Sequence, residues 1–208
     1  MELFLVVFGA IFSVMNPLGT VPIFVGLTQE HSKKERSEIA YKASLNVLLI
    51  LVISFFAGKY ILIFFGISVI SLKIAGGLII ASSGFALLTG KFTEHKGMKR
   101  SKVQSDVNSR EEISLTPLAI PMIAGPGTIS LLITYNQEST GLSYIMIVMM
   151  AIGLSSILIF LMLKSSHSIV KVLGASGINA LSRIIGFIVI AIGIEFMVSA
   201  GLSVFRMI

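Results

Sequence analysis

The sequence predicts an all-α, polytopic membrane protein with six transmembrane helices. The helices are expected to form two inverted three-helix repeats, and the first and fourth helices are expected to be discontinuous. Three observations predict this fold class: a strongly apolar composition, six apolar stretches long enough to cross a bilayer, and a similarity between the two halves of the chain.

The composition indicates a membrane protein. Of 208 residues, 55% are hydrophobic and 12% are charged, and the mean hydropathy is +0.96. Soluble domains carry about twice that share of charged residues. The net charge of +6 comes from basic residues in the connectors between apolar stretches. We therefore expect them to meet lipid headgroups, and we expect no nucleic-acid partner.

Apolar stretches of roughly 20 residues, the length that spans a bilayer, define the helices. They occur at 3–27, 43–64, 68–90, 114–135, 142–163 and 179–203. The first lacks the positive n-region of a cleavable signal peptide, so we expect it to be retained. The chain is then a single transmembrane domain, 1–208, with repeat one at 1–90, a cytoplasmic linker at 91–112 and repeat two at 113–208.

The distribution of basic residues predicts the orientation. Thirteen Lys and Arg residues fall on one side of the predicted spans and three on the other, Lys59, Lys73 and Arg206. Because cytoplasmic loops carry the excess of positive charge, the first side is assigned to the cytoplasm. With six spans, both termini are then expected outside, and the long central loop is cytoplasmic.

Local similarities between the halves predict a duplication. IAGGLIIA at 74–81 resembles IIGFIVIA at 184–191 at an offset of 110 residues. Phe65-Gly66 corresponds to Leu173-Gly174, and Gly19-Thr20 to Gly127-Thr128, both at an offset of 108. Each half has three spans, so the second would insert upside down relative to the first, as in many secondary transporters.

Helix-breaking residues interrupt the first and fourth predicted spans. The first contains MNPLGTVPIF at 15–24, and the fourth contains PLAIPMIAGPGTIS at 117–130. Proline lacks a backbone donor and glycine weakens a helix, so each span is expected to break near the bilayer midplane. Prolines also kink membrane helices for packing alone, but two paired breaks at one depth favour a binding site.

The paired breaks predict a site for a small zwitterion. Half-helices beginning near Gly19 and Gly127 would direct free amides and a positive dipole at the centre, which suits a carboxylate. Half-helices ending near Met15 and Ala124 would offer carbonyls to an ammonium group or a coupling cation. The predicted substrate-binding residues are Asn16, Pro17, Gly19, Thr20, Gly125, Pro126, Gly127 and Thr128.

Two polar residues elsewhere in the spans are further candidates. Glu195 is the one acidic residue deep in a predicted span, and it is either a proton-coupling carboxyl, a partner for a substrate ammonium, or a structural residue. Asn46, in the second span, either lines the pathway or hydrogen-bonds a broken helix. Small residues, among them Gly76, Gly77 and Gly84 in the third span with Gly186 and Gly193 in the sixth, are expected to serve helix packing.

These motifs resemble those of the MarC family, also called the small neutral amino acid transporter (SnatA) family or UPF0056. The resemblance covers essentially the whole chain and rests on Asn-Pro-x-Gly-x-x-Pro in the first span and Pro-x-x-x-Pro-x-x-Ala-Gly-Pro-Gly-x-Ile in the fourth. It implies a prokaryotic inner-membrane protein and, for members with an assigned activity, movement of small neutral amino acids such as glycine and alanine. By motif it also adds Pro22 and Pro121 to the functional positions.

The predicted function is a secondary transporter or exporter of small neutral amino acids, with substrate bound at the midplane between the two broken helices. Coupling to protons through Glu195, or to another cation, is a separate expectation, and association into a homo-oligomer is left open. The alternatives are an exporter of a different or drug-like solute, and a channel. The spans contain no paired carboxylates or metal-ligand cluster, so we expect no enzyme, no metal and no cofactor.

Overall fold

The computed structural model describes residues 2–29, 31–90, 118–119, 123–138 and 141–205, and these residues contain helices and no strands. The helices are α1 (Glu2–Met15), α2 (Pro17–Leu27), α3 (Lys33–Phe65), α4 (Val69–Leu88), α5 (Pro126–Gln137), α6 (Leu142–Lys164) and α7 (Ser166–Phe205). The all-α class is confirmed for this part of the chain. The predicted linker 91–112 lies outside the described residues.

Five helical segments are long and apolar enough to cross a membrane: Glu2–Leu27, Lys33–Phe65, Val69–Leu88, Leu142–Lys164 and Ser176–Phe205. They correspond to five of the six predicted spans. The remaining predicted span, 114–135, lies partly outside the described residues, which include α5 from its second half. The count of six therefore stays a prediction.

The connection between α2 and α3 is fixed by hydrogen bonds that follow from its polar sequence. Ser32 caps α3 by accepting from the Glu35 amide, and the Glu35 carboxylate accepts from the Ser32 amide, which completes a capping box. Arg36 donates to the backbone carbonyls of Thr28 and Gln29, just beyond the end of α2. We call this end of the molecule the α2–α3 end.

The opposite end, where α3 turns into α4, is called the α3–α4 end. Gly66 ends α3 in the left-handed conformation, with φ 63°, which glycine adopts without strain. Lys73 of α4 forms an ion pair with Glu138, directly after α5. Helix α5 therefore ends at the α3–α4 end, whereas α2 ends at the α2–α3 end, so α2 and α5 run in opposite senses. Inversion of the complete halves stays a prediction.

Helices α4 and α7 pack through glycines at very short range. A Cβ atom added to Gly84 would lie 2.7 Å from the Gly186 carbonyl oxygen, and one added to Gly186 would lie 2.8 Å from that of Gly84. Gly77 and Gly193 are related in the same way, at 2.6 Å in both directions. Since side chains would separate these backbones, the expectation that small residues serve helix packing is confirmed here.

The polar segment KSSHSIVKVLGASG, between the fifth and sixth predicted spans, is mostly helical. It is helical from Ser166, and α7 is interrupted only at Gly174, where φ is 63° and ψ is 174°. Because its side chains are polar, this part of α7 was not included in the predicted apolar span, which begins at residue 179. Because Gly84 meets Gly186 and Gly77 meets Gly193, α7 runs antiparallel to α4, so this segment lies at the α2–α3 end. Near its start, burial lowers the pKa of His167, and the charge of Arg36 lowers it further.

Candidate functional site

The first predicted break is present and is centred on Asn16. Helix α1 ends at Met15, α2 begins at Pro17, and Asn16 between them has φ 47° and ψ 62°. It is the only described residue other than glycine with a positive φ. Asparagine tolerates this left-handed conformation better than most residues, and proline fits the first position of a helix because its missing donor would be unpaired there. The sequence Asn-Pro thus ends one helix and starts the next.

The Asn16 side chain is buried, with 2% of its surface exposed, and only half of its amide is paired. Its Oδ1 accepts a 3.3 Å hydrogen bond from the Gly19 amide and so caps α2. Its Nδ2 has no acceptor among the described residues. A buried amide donor without a partner is costly, so Nδ2 is a donor available to a ligand.

The backbone around Asn16 is supported from both sides. The Asn16 amide donates to the carbonyls of Phe12 and Ser13, each at 3.2 Å, and the Thr20 hydroxyl donates to the Asn16 carbonyl at 3.3 Å. Thr20 is fully buried. Gly19 is needed beside Asn16, because a Cβ atom there would overlap the Asn16 amide group. The predicted residues Asn16, Pro17, Gly19 and Thr20 therefore form one structural unit.

The second predicted break is also present, at the start of α5. Gly125 precedes the helix in an extended conformation, with φ −79° and ψ 173°, and Pro126 occupies the first helical position. Before the break, the Ala124 amide donates to the Ala119 carbonyl at 2.9 Å, the spacing of a π-type turn. The Thr128 hydroxyl donates to the Ile123 carbonyl at 3.3 Å. Pro121 lies outside the described residues.

No side chain caps α5. The Ile129 amide bonds the Gly125 carbonyl, and Pro126 has no donor, so the geometry of a helix start leaves the amides of Gly127 and Thr128 without intrahelical acceptors. Both residues are buried. Two buried amides and the positive end of the helix dipole are thus directed away from α5 at the break, which is an arrangement that favours an anion.

The two breaks are in contact. A Cβ atom added to Gly127 would lie 3.6 Å from Val14, in the last turn of α1, and 2.9 Å from Ile80 of α4. Met15 and Ala124, the residues before the two breaks, belong to one buried apolar cluster. The structure therefore brings together the predicted elements that the sequence separates by about 100 residues.

The chemistry of this region is polar but uncharged. The sequence has no Asp, Glu, Lys, Arg or His at 3–27 or at 113–137. The polar groups at the breaks are backbone amides, carbonyls, one carboxamide and two hydroxyls. Such a site suits a ligand with no net charge whose charged ends can each meet a helix terminus.

The remaining predicted site residues lie apart from this buried unit. Pro126 is exposed, although its neighbours Gly125 and Gly127 are buried. Asn46 is half-buried in α3. Glu195 is exposed on α7, so its side chain does not share the buried environment of Asn16 and Thr128. In the described part of the chain, no group of three His, Cys, Asp or Glu side chains could hold a metal ion.

Three buried hydroxyls were missed by the sequence analysis. Thr134 of α5 and Ser155 and Ser156 of α6 are at most 5% exposed, and their oxygens have no partner among the described residues. Serine and threonine in helices usually bond the carbonyl one turn earlier, as Ser54 and Thr28 do here, so such residues attract little attention in a sequence. The Ser-Ser pair in the middle of an apolar span was the available signal.

Comparison with known proteins identifies one family, and the similar proteins carry the names of that family. The family described as "MarC family integral membrane protein" matches residues 1–205. The chain is 36% identical to "UPF0056 membrane protein YhcE" of Escherichia coli (strain K12), covering 95% of the chain and 91% of that relative. It is 35% identical to "UPF0056 membrane protein MJ1677" of Methanocaldococcus jannaschii, covering 96% of each, and 34% identical to "UPF0056 inner membrane protein MarC" of Escherichia coli O1:K1 / APEC, covering 92% and 90%. No solved structure matches the chain.

Proposed function

Because the chain belongs to the MarC family of integral membrane proteins, with apolar helices that indicate a multi-pass membrane protein, we propose that it is a secondary transporter of small neutral amino acids. The observation that carries the proposal is the buried, half-paired carboxamide of Asn16 at a helix break that contacts a second break. Irregular backbone at membrane depth is tolerated only where it is buried in protein or lines a cavity.

The substrate class follows from the groups that the breaks offer. A carboxylate would accept from the amides of Gly127 and Thr128 at the uncapped start of α5, and from the Nδ2 atom of Asn16. An ammonium group would meet carbonyls at the end of α1 and of the turn before Gly125. A zwitterion satisfies both ends, and the absence of charged side chains in the two segments favours one with a neutral side chain.

Substrate size follows from the glycines. Gly19 leaves space that the Asn16 carboxamide fills, and Gly127 lies against Val14 and Ile80. The second break is therefore closely packed by the side chains of Val14 and Ile80, which favours glycine or alanine over a larger amino acid as the substrate. Alternating access would come from movement of one half against the other around the fixed site.

Counterflow measures this function directly. Proteoliposomes loaded with unlabelled glycine or alanine should accumulate the labelled amino acid from outside, and the flux should saturate. If no small amino acid exchanges, the proposal fails. Exchange that prefers larger or drug-like solutes would favour the alternative exporter, and flux that rises linearly with concentration would favour a channel.

Two glycine variants of α2 test whether Asn16 is the group responsible. Gly19→Ala would displace the Asn16 side chain and should lower the apparent affinity for glycine about fivefold, since one carboxamide hydrogen bond is misplaced. Gly26→Ala is the matched control, because a Cβ atom there meets nothing within 4 Å. Equal affinities in the two variants would contradict a role for Asn16.

Proton coupling through Glu195 is a separate proposal. It predicts that a pH gradient drives glycine accumulation and that Glu195→Gln abolishes this dependence while glycine exchange continues. If the variant keeps its dependence on the pH gradient, Glu195 does not carry the coupled proton.

A further inference from the structure

Glu195 occupies an unusual position for a carboxyl group in a membrane protein. It lies about 15 Å before the end of α7 at Phe205, at 1.5 Å per residue, and thus within the hydrocarbon region of the span Ser176–Phe205. Its side chain is exposed, and it belongs to an exposed strip of α7 that is otherwise apolar. The strip includes Ile184, Phe187, Ile188, Ile194, Val198 and Leu202.

A single copy of the chain leaves this carboxyl group uncompensated. Ionisable side chains within spans almost always face the interior of a bundle or a wet cavity and pair with one another, because a charge in hydrocarbon is costly. Glu195 does neither, since it is exposed and forms no hydrogen bond or ion pair within the described segments. At about 15 Å from the helix end, it is too deep for its short side chain to reach the headgroups.

The described part of the chain contains one suitable counter-charge. Of its basic residues, Lys59 and Lys73 lie toward the α3–α4 end, where α7 also ends, and Lys73 is paired with Glu138. Lys59 is exposed on α3 and has no partner in the described segments. It lies about 9 Å before the end of α3. The difference in depth from Glu195 is about 6 Å, which the long stem of a lysine spans.

We propose that copies of this chain associate in the membrane through the exposed strip of α7, with Glu195 of one copy paired with Lys59 of the next. Each charge then gains a partner in the low-dielectric region, and the apolar strip contacts protein around the pair. The arrangement closes either as a two-fold dimer, in which the pair occurs twice, or as a ring. It makes no use of the substrate site and is independent of glycine exchange there. It competes with proton coupling through Glu195, because a carboxylate paired with lysine stays ionised.

Thiol cross-linking between copies tests the contact, and the wild-type chain contains no cysteine that would interfere. A Glu195→Cys copy and a Lys59→Cys copy with different tags are expressed together, and native membranes are treated with a flexible bis-maleimide. This reagent is needed because Cα atoms more than about 7 Å apart, as expected for residues joined through a Glu and a Lys side chain, cannot form a disulfide. We expect a cross-linked species of twice the chain mass that carries both tags. Because each copy has a single cysteine, such a species can form only between copies.

A control pair defines the background. Met150 of α6 is exposed and lies about 12 Å from the start of α6 at the α3–α4 end, at a depth between those of Lys59 and Glu195. Met150→Cys expressed with Glu195→Cys should give at least tenfold less cross-linked product. Equal yields for the two pairs, or no product with Lys59→Cys, would overturn the proposal.

Charge exchange tests the ion pair itself. The wild-type protein in mild detergent should have the mass of two or more chains by light scattering. Glu195→Lys and Lys59→Glu should each raise the dissociation constant at least tenfold through like-charge contacts, and the double variant should restore the wild-type mass. A monomeric wild-type protein, or a double variant as dissociated as the single ones, would contradict the pairing.

Discussion

The two helix breaks have similar sequences but differ in how the helix that follows each break, α2 or α5, is capped. Both α2 and α5 begin with proline, and each has a buried threonine whose hydroxyl donates to a carbonyl at the break. At the first break, a side chain caps the helix and its residue adopts a left-handed conformation. At the second break, a glycine in extended conformation precedes the helix, and no side chain caps it.

This difference assigns distinct roles to the breaks. At the offset of 108 residues, Asn16 corresponds to Ala124, so the second break has no carboxamide at the corresponding position. At the first break, Asn16 caps α2 and its Nδ2 atom remains an unpaired donor. At the second break, no side chain caps the first amides of α5. A carboxylate would bind mainly at α5, with Asn16 completing its shell from the other half. The asymmetry would give a ligand one preferred orientation.

The largest expected effect comes from Asn16, and two variants separate its backbone from its side chain. Asn16→Gly keeps the left-handed conformation and removes the carboxamide, and Asn16→Ala also makes that conformation costly by about 1 kcal/mol. We expect both to lower glycine affinity at least tenfold, about 1.4 kcal/mol. Only Asn16→Ala should also lower the melting temperature strongly. Retained affinity in Asn16→Gly would show that the carboxamide serves packing alone.

The second largest effect should come from capping α5. Gly125→Ser supplies a hydroxyl oxygen that accepts from the amides of the first turn of α5 and so competes with a carboxylate. We expect glycine affinity, measured by competition in counterflow, to fall about three- to tenfold without a loss of thermal stability. Gly125→Ala adds the same Cβ without the hydroxyl and should stay within about twofold of the wild type. Similar losses in the two variants would point to crowding.

The threonine hydroxyls should matter less. Their hydrogen bonds are long, at 3.3 Å, and each supports a carbonyl. Thr20→Val and Thr128→Val should each lower glycine affinity by less than about threefold, with Thr20→Val the larger because its partner is the carbonyl of Asn16. A greater effect of Thr128→Val in counterflow would reverse the roles assigned to the two breaks.

A change of pH should have the smallest effect on the affinity for glycine. The segments 3–27 and 114–137 contain no Asp, Glu, Lys, Arg or His, so nothing at the two breaks titrates between about pH 5.5 and 8. Equilibrium affinity for glycine should change by less than about twofold across this range. A steep dependence in equilibrium binding would place a titrating group at the site and contradict its uncharged character.

The sequence was sufficient for the helix breaks because their cause is local. Pro17 and Pro126 lack a donor wherever they are placed, and both were found at the first position of a helix. The contact between the breaks, through Gly127 and Val14, depends on how the helices pack. The similarity of the two halves at an offset of 108 residues suggested this contact but did not establish it. Five of the predicted spans coincide with helices of the structure that are long and apolar enough to cross a membrane.

Other features could not be predicted because they depend on long-range packing. The spacing of Glu195 along its helix gave its depth but not its exposure, which depends on the face that α7 turns toward α4. The first turns of α7, which contain Ser166 and His167, lie before the last predicted span, 179–203, and were not predicted to be helical, since polarity alone does not separate a surface helix from a loop.

We propose that the open start of α5 and the carboxamide of Asn16 together hold the carboxylate of one zwitterion. Binding of glycine and of glycinamide to the purified protein, compared by thermal shift over the same concentrations, tests it most directly. Glycinamide has the ammonium group but lacks the carboxylate, so we predict stabilisation by glycine and at least tenfold weaker binding of glycinamide. Equal binding of the two compounds would contradict the account.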